Sequence, residues 1–140
     1  MAEGGVLQWY DIPFAQPPVG ELRWRAPAAL SVTDQLLTRR EESVICPQQA
    51  SSVSGVEGDA AIGTEDCLYL DVTAPKGADG PLPVMFWIHG GGNTSGLKDT
   101  YDFSKMVRKH NVIVVTINYR LGPFGWFTHP SIQGLQDSDD

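Results

Sequence analysis

The sequence predicts an α/β fold in which a crossover helix joins neighbouring parallel strands, and three consecutive stretches carry that prediction. The first is Leu82-Pro83-Val84-Met85-Phe86-Trp87-Ile88, an apolar run bounded by Pro and Gly that reads as a strand buried on both faces. The second, 101–110, reads as a helix. Phe103, Met106 and Val107 recur at i, i+3 and i+4 and so share one buried face, with Asp99 or Thr100 as the cap. Arg108, Lys109 and His110 at its end suit the negative pole of the helix dipole. The third is Val112-Ile113-Val114-Val115-Thr116-Ile117, a second buried strand. Strand, turn, helix, strand is a crossover, and a crossover implies a parallel sheet.

Length and composition are those of one globular unit. The chain has 140 residues, 41% hydrophobic and 19% charged, enough for a sizeable core. A net charge of −7 with no basic cluster argues against nucleic acid and against an anionic membrane surface. No apolar run approaches the ~20 residues of a transmembrane helix. Met1-Ala2-Glu3-Gly4-Gly5 lacks the basic and apolar regions of a signal peptide, which leaves the compartment open.

Taken in order, Val6-Leu7-Gln8-Trp9-Tyr10 reads as a short strand stopped by Asp11-Ile12-Pro13. Phe14 to Gly20 is an ordered loop, because its prolines lack the amide donor of an interior strand. Arg23 and Arg25 are either solvated or paired with carboxylates. Residues 31–49 fit no single element. Cys46 and Cys67 are either a disulfide or two buried thiols. With no further Cys or His at zinc spacing, neither a metal site nor a cofactor is expected. Ala50 to Gly63, rich in Ser and Gly, reads as a long loop, and Cys67 to Thr73 alternates as a strand. Gly122 to Phe127 reads as a loop before the acidic Asp137-Ser138-Asp139-Asp140.

The chemistry is concentrated in His89-Gly90-Gly91-Gly92. Glycines permit positive φ and close approach, which suits a turn whose N–H groups point at an anion. Phosphate cradling and the oxyanion hole of acyl transfer both use that geometry. The phosphate motifs fail on spacing. Ser95 stands where a dinucleotide fingerprint needs its third glycine, and Leu97 where a P-loop needs lysine. The glycine turn that follows an α/β-hydrolase strand fits without adjustment.

Four segments together resemble the type B carboxylesterase family, which includes the cholinesterases. They are Ile12-Pro13-Phe14-Ala15-Gln16-Pro17-Pro18-Val19-Gly20, Glu65-Asp66-Cys67-Leu68-Tyr69-Leu70, Trp87-Ile88-His89-Gly90-Gly91-Gly92 and Asn118-Tyr119-Arg120-Leu121-Gly122-Pro123-Phe124-Gly125. The resemblance implies the N-terminal portion, residues 1–140, of one α/β-hydrolase domain with a mostly parallel mixed sheet. It implies hydrolysis of carboxylic esters through a serine acyl-enzyme. Gly91 and Gly92 would donate N–H groups to the tetrahedral oxyanion, with His89 and Gly90 as supporting residues. Cys46 and Cys67 would be the family's first disulfide, and Arg23 with Glu65 a structural ion pair. A disulfide favours a secreted or periplasmic location over the cytoplasm.

Two departures stand out. Asn93 follows the third glycine where the family commonly has an aromatic or small residue, which leaves the acyl pocket open in shape. Asn93-Thr94-Ser95 is also a glycosylation sequon, expected to stay unmodified beside such a turn. The nucleophile elbow G-x-S-x-G is not among these residues, and Gly92-Asn93-Thr94-Ser95-Gly96 has its serine one place late. No catalytic residue of the triad is therefore expected in this chain, and the partners implied are a small ester and the C-terminal remainder of the hydrolase, in the same or a separate polypeptide. The alternatives are a cholinesterase-like binding module without chemistry and an inert truncated fragment.

Overall fold

A computed structural model describes residues 2–3, 5–30 and 42–133. The acidic end at 137–140, and residues 31–41 of the unassigned stretch, lie outside the described residues. In chain order the elements are β1 (Ala2–Glu3), β2 (Val6–Pro13), a 3-10 turn (Gly20–Leu22), β3 (Gln48–Ser51), β4 (Val56–Ile62), β5 (Tyr69–Pro75), β6 (Val84–Ile88), α1 (Ser104–His110), β7 (Ile113–Ile117), α2 (Gly122–Trp126) and α3 (Pro130–Gln133). Among the described residues no helix is long and apolar enough to cross a membrane.

The main sheet has the order β1-β2-β5-β7-β6, and β3 with β4 forms a separate ribbon. β6 and β7 are parallel, from Val84 opposite Ile113 to Ile88 opposite Ile117, and α1 is the crossover between them. β7 pairs antiparallel with β5, and β5 antiparallel with β2. The sheet is thus mixed, with its parallel pair at one side.

Packing follows the apolar periodicities. Val107 of α1 is fully enclosed with Val6 and Val114, and Met85, Phe103, Met106 and Val112 pack around them. Burying each such side chain contributes about 1.5–3 kcal/mol. A second cluster joins Val44, Cys46, Cys67, Tyr69 and Leu121, with Tyr119 against it. Cys46 and Cys67 form a disulfide.

Five expectations require correction. β6 is not buried on both faces: among the described residues it stands at one edge of the sheet, and Val84, Phe86 and Ile88 are 61%, 55% and 60% exposed. An apolar run shows that a strand is built to be covered, but not that the cover lies within the same chain. β2 continues past Tyr10, because Asp11 takes a positive φ of 54° in a bulge and Ile12 re-enters the ladder opposite Leu70. The stretch 50–63 is largely a hairpin, turned where the Ser54 hydroxyl donates to Ser51 O (2.8 Å) and accepts from Ser51 N–H (2.9 Å). Its loop-like composition reflects the exposure of most of β4. Helix α1 starts late and uses neither Asp99 nor Thr100; Asp102 Oδ1 accepts from Ser104 N–H (2.8 Å) just before it. Gly122 to Trp126 is a short helix rather than a loop, with Pro123 in its first turn.

Candidate functional site

β6 ends at Ile88, and the chain turns through the glycines at the carboxyl end of the parallel pair, the edge at which open α/β sheets place ligands. Gly91 and Gly92 take φ of 113° and 63°, and Asn93 follows at 61°. The turn closes on one oxygen: Gly91 O accepts from Thr94 N–H (3.1 Å), Ser95 N–H (3.2 Å) and the Thr94 hydroxyl (3.0 Å). A Cβ at Gly91 would stand 1.8 Å from Ser95 O, so only glycine fits there. Around Gly92 there is open space. Among the described residues no carbonyl or side chain accepts from Gly91 N–H or Gly92 N–H. Asn93 O accepts from Gly122 N–H (2.7 Å), which ties the turn to α2.

His89 lies beneath the turn and is buried. Its ring stacks on Tyr119 with centroids 4.3 Å apart, and Nδ1–H donates to Gly90 O (2.8 Å). The Tyr119 hydroxyl in turn donates to His89 O (2.7 Å). Burial holds the His89 pKa below its ordinary value, so the imidazole stays neutral near pH 7. Burial also raises the Tyr119 pKa, which keeps that hydroxyl a donor. His89 therefore shapes the turn as a neutral prop.

The far end of the turn is gripped from β3. Gln48, buried at the start of that strand, accepts from Gly96 N–H (2.8 Å) and donates to Gly96 O (2.9 Å) and Cys46 O (3.1 Å). Gly96 itself, at φ 129°, leaves no room for a side chain, since a Cβ would be 2.2 Å from His89 Nδ1. The Cys46–Cys67 disulfide anchors the segment that carries Gln48. Farther out, Arg23 makes a two-pronged pair with Glu65, Nε to Oε2 at 2.6 Å and the second nitrogen to Oε1, and its guanidinium lies over the Trp24 and Phe124 rings.

Two residues beyond Gly96 the chain buries a charge. Lys98 Nζ is 2.9 Å from Asp71 Oδ2, 2.7 Å from Asp99 Oδ1 and 3.1 Å from Asp11 Oδ1. Asp71 Oδ1 also accepts from Asp11 N–H (2.8 Å), and Asn118 accepts from Lys98 N–H (2.8 Å) while donating to Val44 O (2.7 Å). Burial, and hydrogen bonding to Asp99, push the Asp71 carboxyl up to about 7 against the pull of Lys98. Burial alone would raise Asp99 too, but hydrogen bonds from Asp71, Lys98 and Ser43 hold it below its ordinary value. Lys98 is raised, because the facing carboxylates outweigh its desolvation. One lysine thus faces three carboxylates, of which Asp71 is held above its ordinary range and Asp99 below it.

Sequence reasoning missed Gln48 and the Lys98 cluster. Gln48 fell in the unassigned stretch, where only its place two residues after Cys46 marked it. In the sequence Asp99 is one of two candidate helix caps, although Lys98 beside it is a potential counter-ion. The glycine turn opens on a groove of about 460 Å³ lined by Gly92, Asn93, Thr94, Gly122, Pro123, Trp126 and Phe127. A larger cleft, about 670 Å³, lies instead over Asp71, Lys98 and Arg108, away from the glycines.

The model of the carboxylesterase family matches residues 1–135. The chain belongs to the carboxylesterase family. Among carboxylesterase relatives, it is 45% identical over 131 residues to the para-nitrobenzyl esterase of Bacillus subtilis (strain 168), covering 92% of this chain and 27% of that protein. It is 43% identical over 134 residues to the fumonisin B1 esterase of Sphingopyxis macrogoltabida, covering 93% and 24%. A solved PNB esterase structure superposes with a TM-score of 0.83 at 42% identity, over 94% of this chain and 27% of the other. EstA of Aspergillus niger superposes with a TM-score of 0.80 at 28% identity, over 97% and 26%. The α/β-hydrolase fold of these esterases is the fold of this chain, which spans about a quarter of their length.

Proposed function

We propose that this chain is the N-terminal portion of one carboxylesterase-type serine hydrolase domain and supplies its oxyanion hole. The observation that carries the reading is the pair of donors, Gly91 N–H and Gly92 N–H, that meet no acceptor among the described residues, on a turn closed by Thr94 and Ser95. Preorganised donors of this kind stabilise the charge that develops on a carbonyl oxygen under attack, typically by about 2.7–4 kcal/mol each. G-x-S-x-G is absent from these 140 residues, and in the hydrolase order of serine, then acid, then histidine the other two follow it, so this reading assigns all three to residues outside this chain.

In that reaction the serine oxygen bonds to the ester carbonyl carbon while histidine takes its proton. The oxyanion accepts from Gly91 and Gly92, and collapse of the intermediate expels the alcohol, protonated by the histidine. Water then cleaves the acyl-enzyme by the same route. His89 is not that base: its ring is buried beneath the turn against Tyr119, and among the described residues its free nitrogen, Nε2, faces no hydroxyl. The groove beside the turn, walled by Pro123, Trp126 and Phe127, suits an uncharged or weakly charged ester with an apolar arm. Asn93 puts a polar group on that wall. The Cys46–Cys67 disulfide favours an oxidising, secreted or periplasmic setting.

The test uses the hydrolase that contains this chain together with its serine segment. Hydrolysis of p-nitrophenyl acetate is followed, with mass spectrometry of the acyl-enzyme. Gly91→Ala is expected to lower kcat by about 100-fold or more. Full activity in that variant would remove the glycine turn from the chemistry. A protein with no turnover and no acyl-enzyme would favour the binding-module alternative.

A further inference from the structure

The Gly91 and Gly92 donors are useful only if they are held in direction, and the bonds that close their turn lead on to Gly96. Gly91 O is fixed by Ser95 N–H, and Ser95 O lies where a Gly91 side chain would be. Ser95 is set in turn by Gly96, whose Cα faces the His89 ring and Gly90 O so closely that a Cβ would meet them at 2.2 and 2.8 Å. Gly96 also sits at a φ of 129°, a conformation for which glycine has no intrinsic preference over its other options. One side chain clamps it. The Gln48 carboxamide accepts from Gly96 N–H and donates to Gly96 O at 2.8 and 2.9 Å, the two-point contact a neighbouring strand would make. Its second amide hydrogen goes to Cys46 O, on the residue of the disulfide. Gln48 is 8% exposed, so water does not replace it.

We propose that Gln48 is a positioning residue for ester hydrolysis, its carboxamide fixing Gly96 so that Gly91 N–H and Gly92 N–H converge on the oxyanion. The proposal rests on the oxyanion reading of those two glycines. Asp or Glu in place of the amide would lose the donor and set a carboxylate against two carbonyl oxygens. An apolar residue would leave both Gly96 groups buried and unpaired.

The test compares Gln48→Glu, Gln48→Met and Gly91→Ala in the hydrolase that contains this chain. Sites are counted by titration with a chromogenic organophosphate, so that only folded, reactive molecules enter kcat. Two inhibitors are compared: a trifluoromethyl ketone, which forms a tetrahedral oxyanion, and its unfluorinated analogue, which does not. Both Gln48 variants are expected to lose about 10- to 100-fold in kcat with KM within about twofold, since misplacement by about an ångström has effects of that size. Their preference for the fluorinated ketone should fall by the same factor, and amide hydrogen exchange over 90–97 should quicken. Gln48→Met, which fills the volume, separates this from collapse of the fold. Wild-type kcat per titrated site and unchanged inhibitor preference in the Gln48 variants, with Gly91→Ala impaired, would reduce Gln48 to a structural role. If Gly91→Ala is also unimpaired, the oxyanion reading fails and this proposal falls with it.

Discussion

Gly91 and Gly92 both take positive φ but differ in what surrounds them. A methyl at Gly91 collides with Ser95 O, whereas at Gly92 it meets only open space. Gly92→Ala thus incurs only the left-handed backbone strain, about 1–2 kcal/mol, while Gly91→Ala must displace the turn. The expected order of kcat is wild type, then Gly92→Ala, then Gly91→Ala, and equal losses would show that backbone strain alone decides. Asp71 carries the second prediction at this scale. Its folded pKa of about 7 lies above that of an unfolded aspartate, so the native chain holds a proton that the unfolded chain releases. Stability therefore falls as pH rises through the window from about 4 to 7. Asp99, held low, acts in the opposite sense, and its stabilisation disappears as pH falls below the ordinary carboxylate range. Asp71→Asn copies the protonated acid and should flatten the melting temperature between about pH 4 and 7. Thermal unfolding across that range checks it; an unchanged slope would place the titrating proton elsewhere.

Among the elements, the segment around Cys46 matters more than its irregular backbone suggests. It carries the disulfide, sits in one of the two core clusters and delivers Gln48 to the turn. Closing a loop with a sequence separation of 21 contributes about 3 kcal/mol in the chain-entropy model. Reduction, or Cys46→Ala with Cys67→Ala, should lower the unfolding midpoint by a corresponding amount. It should also quicken hydrogen exchange at Gly96, because the Gln48 grip loses its anchor. A loss of stability with Gly96 exchange unchanged would separate the disulfide from the turn. The crossover of β6, α1 and β7 was legible from periodicity alone, since Phe103, Met106 and Val107 point to one side and that side is the packed one. The hairpin of β3 and β4 was not, because most of β4 is exposed and its serine turn resembles a loop in composition.

At the scale of the whole molecule, the decisive feature is an apolar strand at an edge. Val84, Phe86 and Ile88 present one bare face, and among the described residues the outer edge of β6 has no partner strand. Such an edge invites association. The 140-residue chain by itself is expected to self-associate and to turn over no p-nitrophenyl acetate. Phe86→Lys with Ile88→Lys should return it to a monomer by sedimentation. A monomeric wild-type chain, or clear turnover by the purified chain free of host esterase, would contradict this.

The sequence by itself determined the mixed α/β character, the crossover and the place of the glycine turn, because periodicity and glycine spacing are local quantities. Four motifs in order were enough to indicate the family. Only the tertiary structure decided that β6 stands at an edge among the described residues, since a strand's neighbours are not written in its own residues. It also decided that Gln48 reaches Gly96 across 48 positions and that Lys98 is enclosed by Asp11, Asp71 and Asp99. Those contacts join residues far apart in the chain, and a polar side chain has no periodicity to announce its partner. What an isolated Gln or Lys does depends on which backbone groups and charges folding brings within about 3 Å of it.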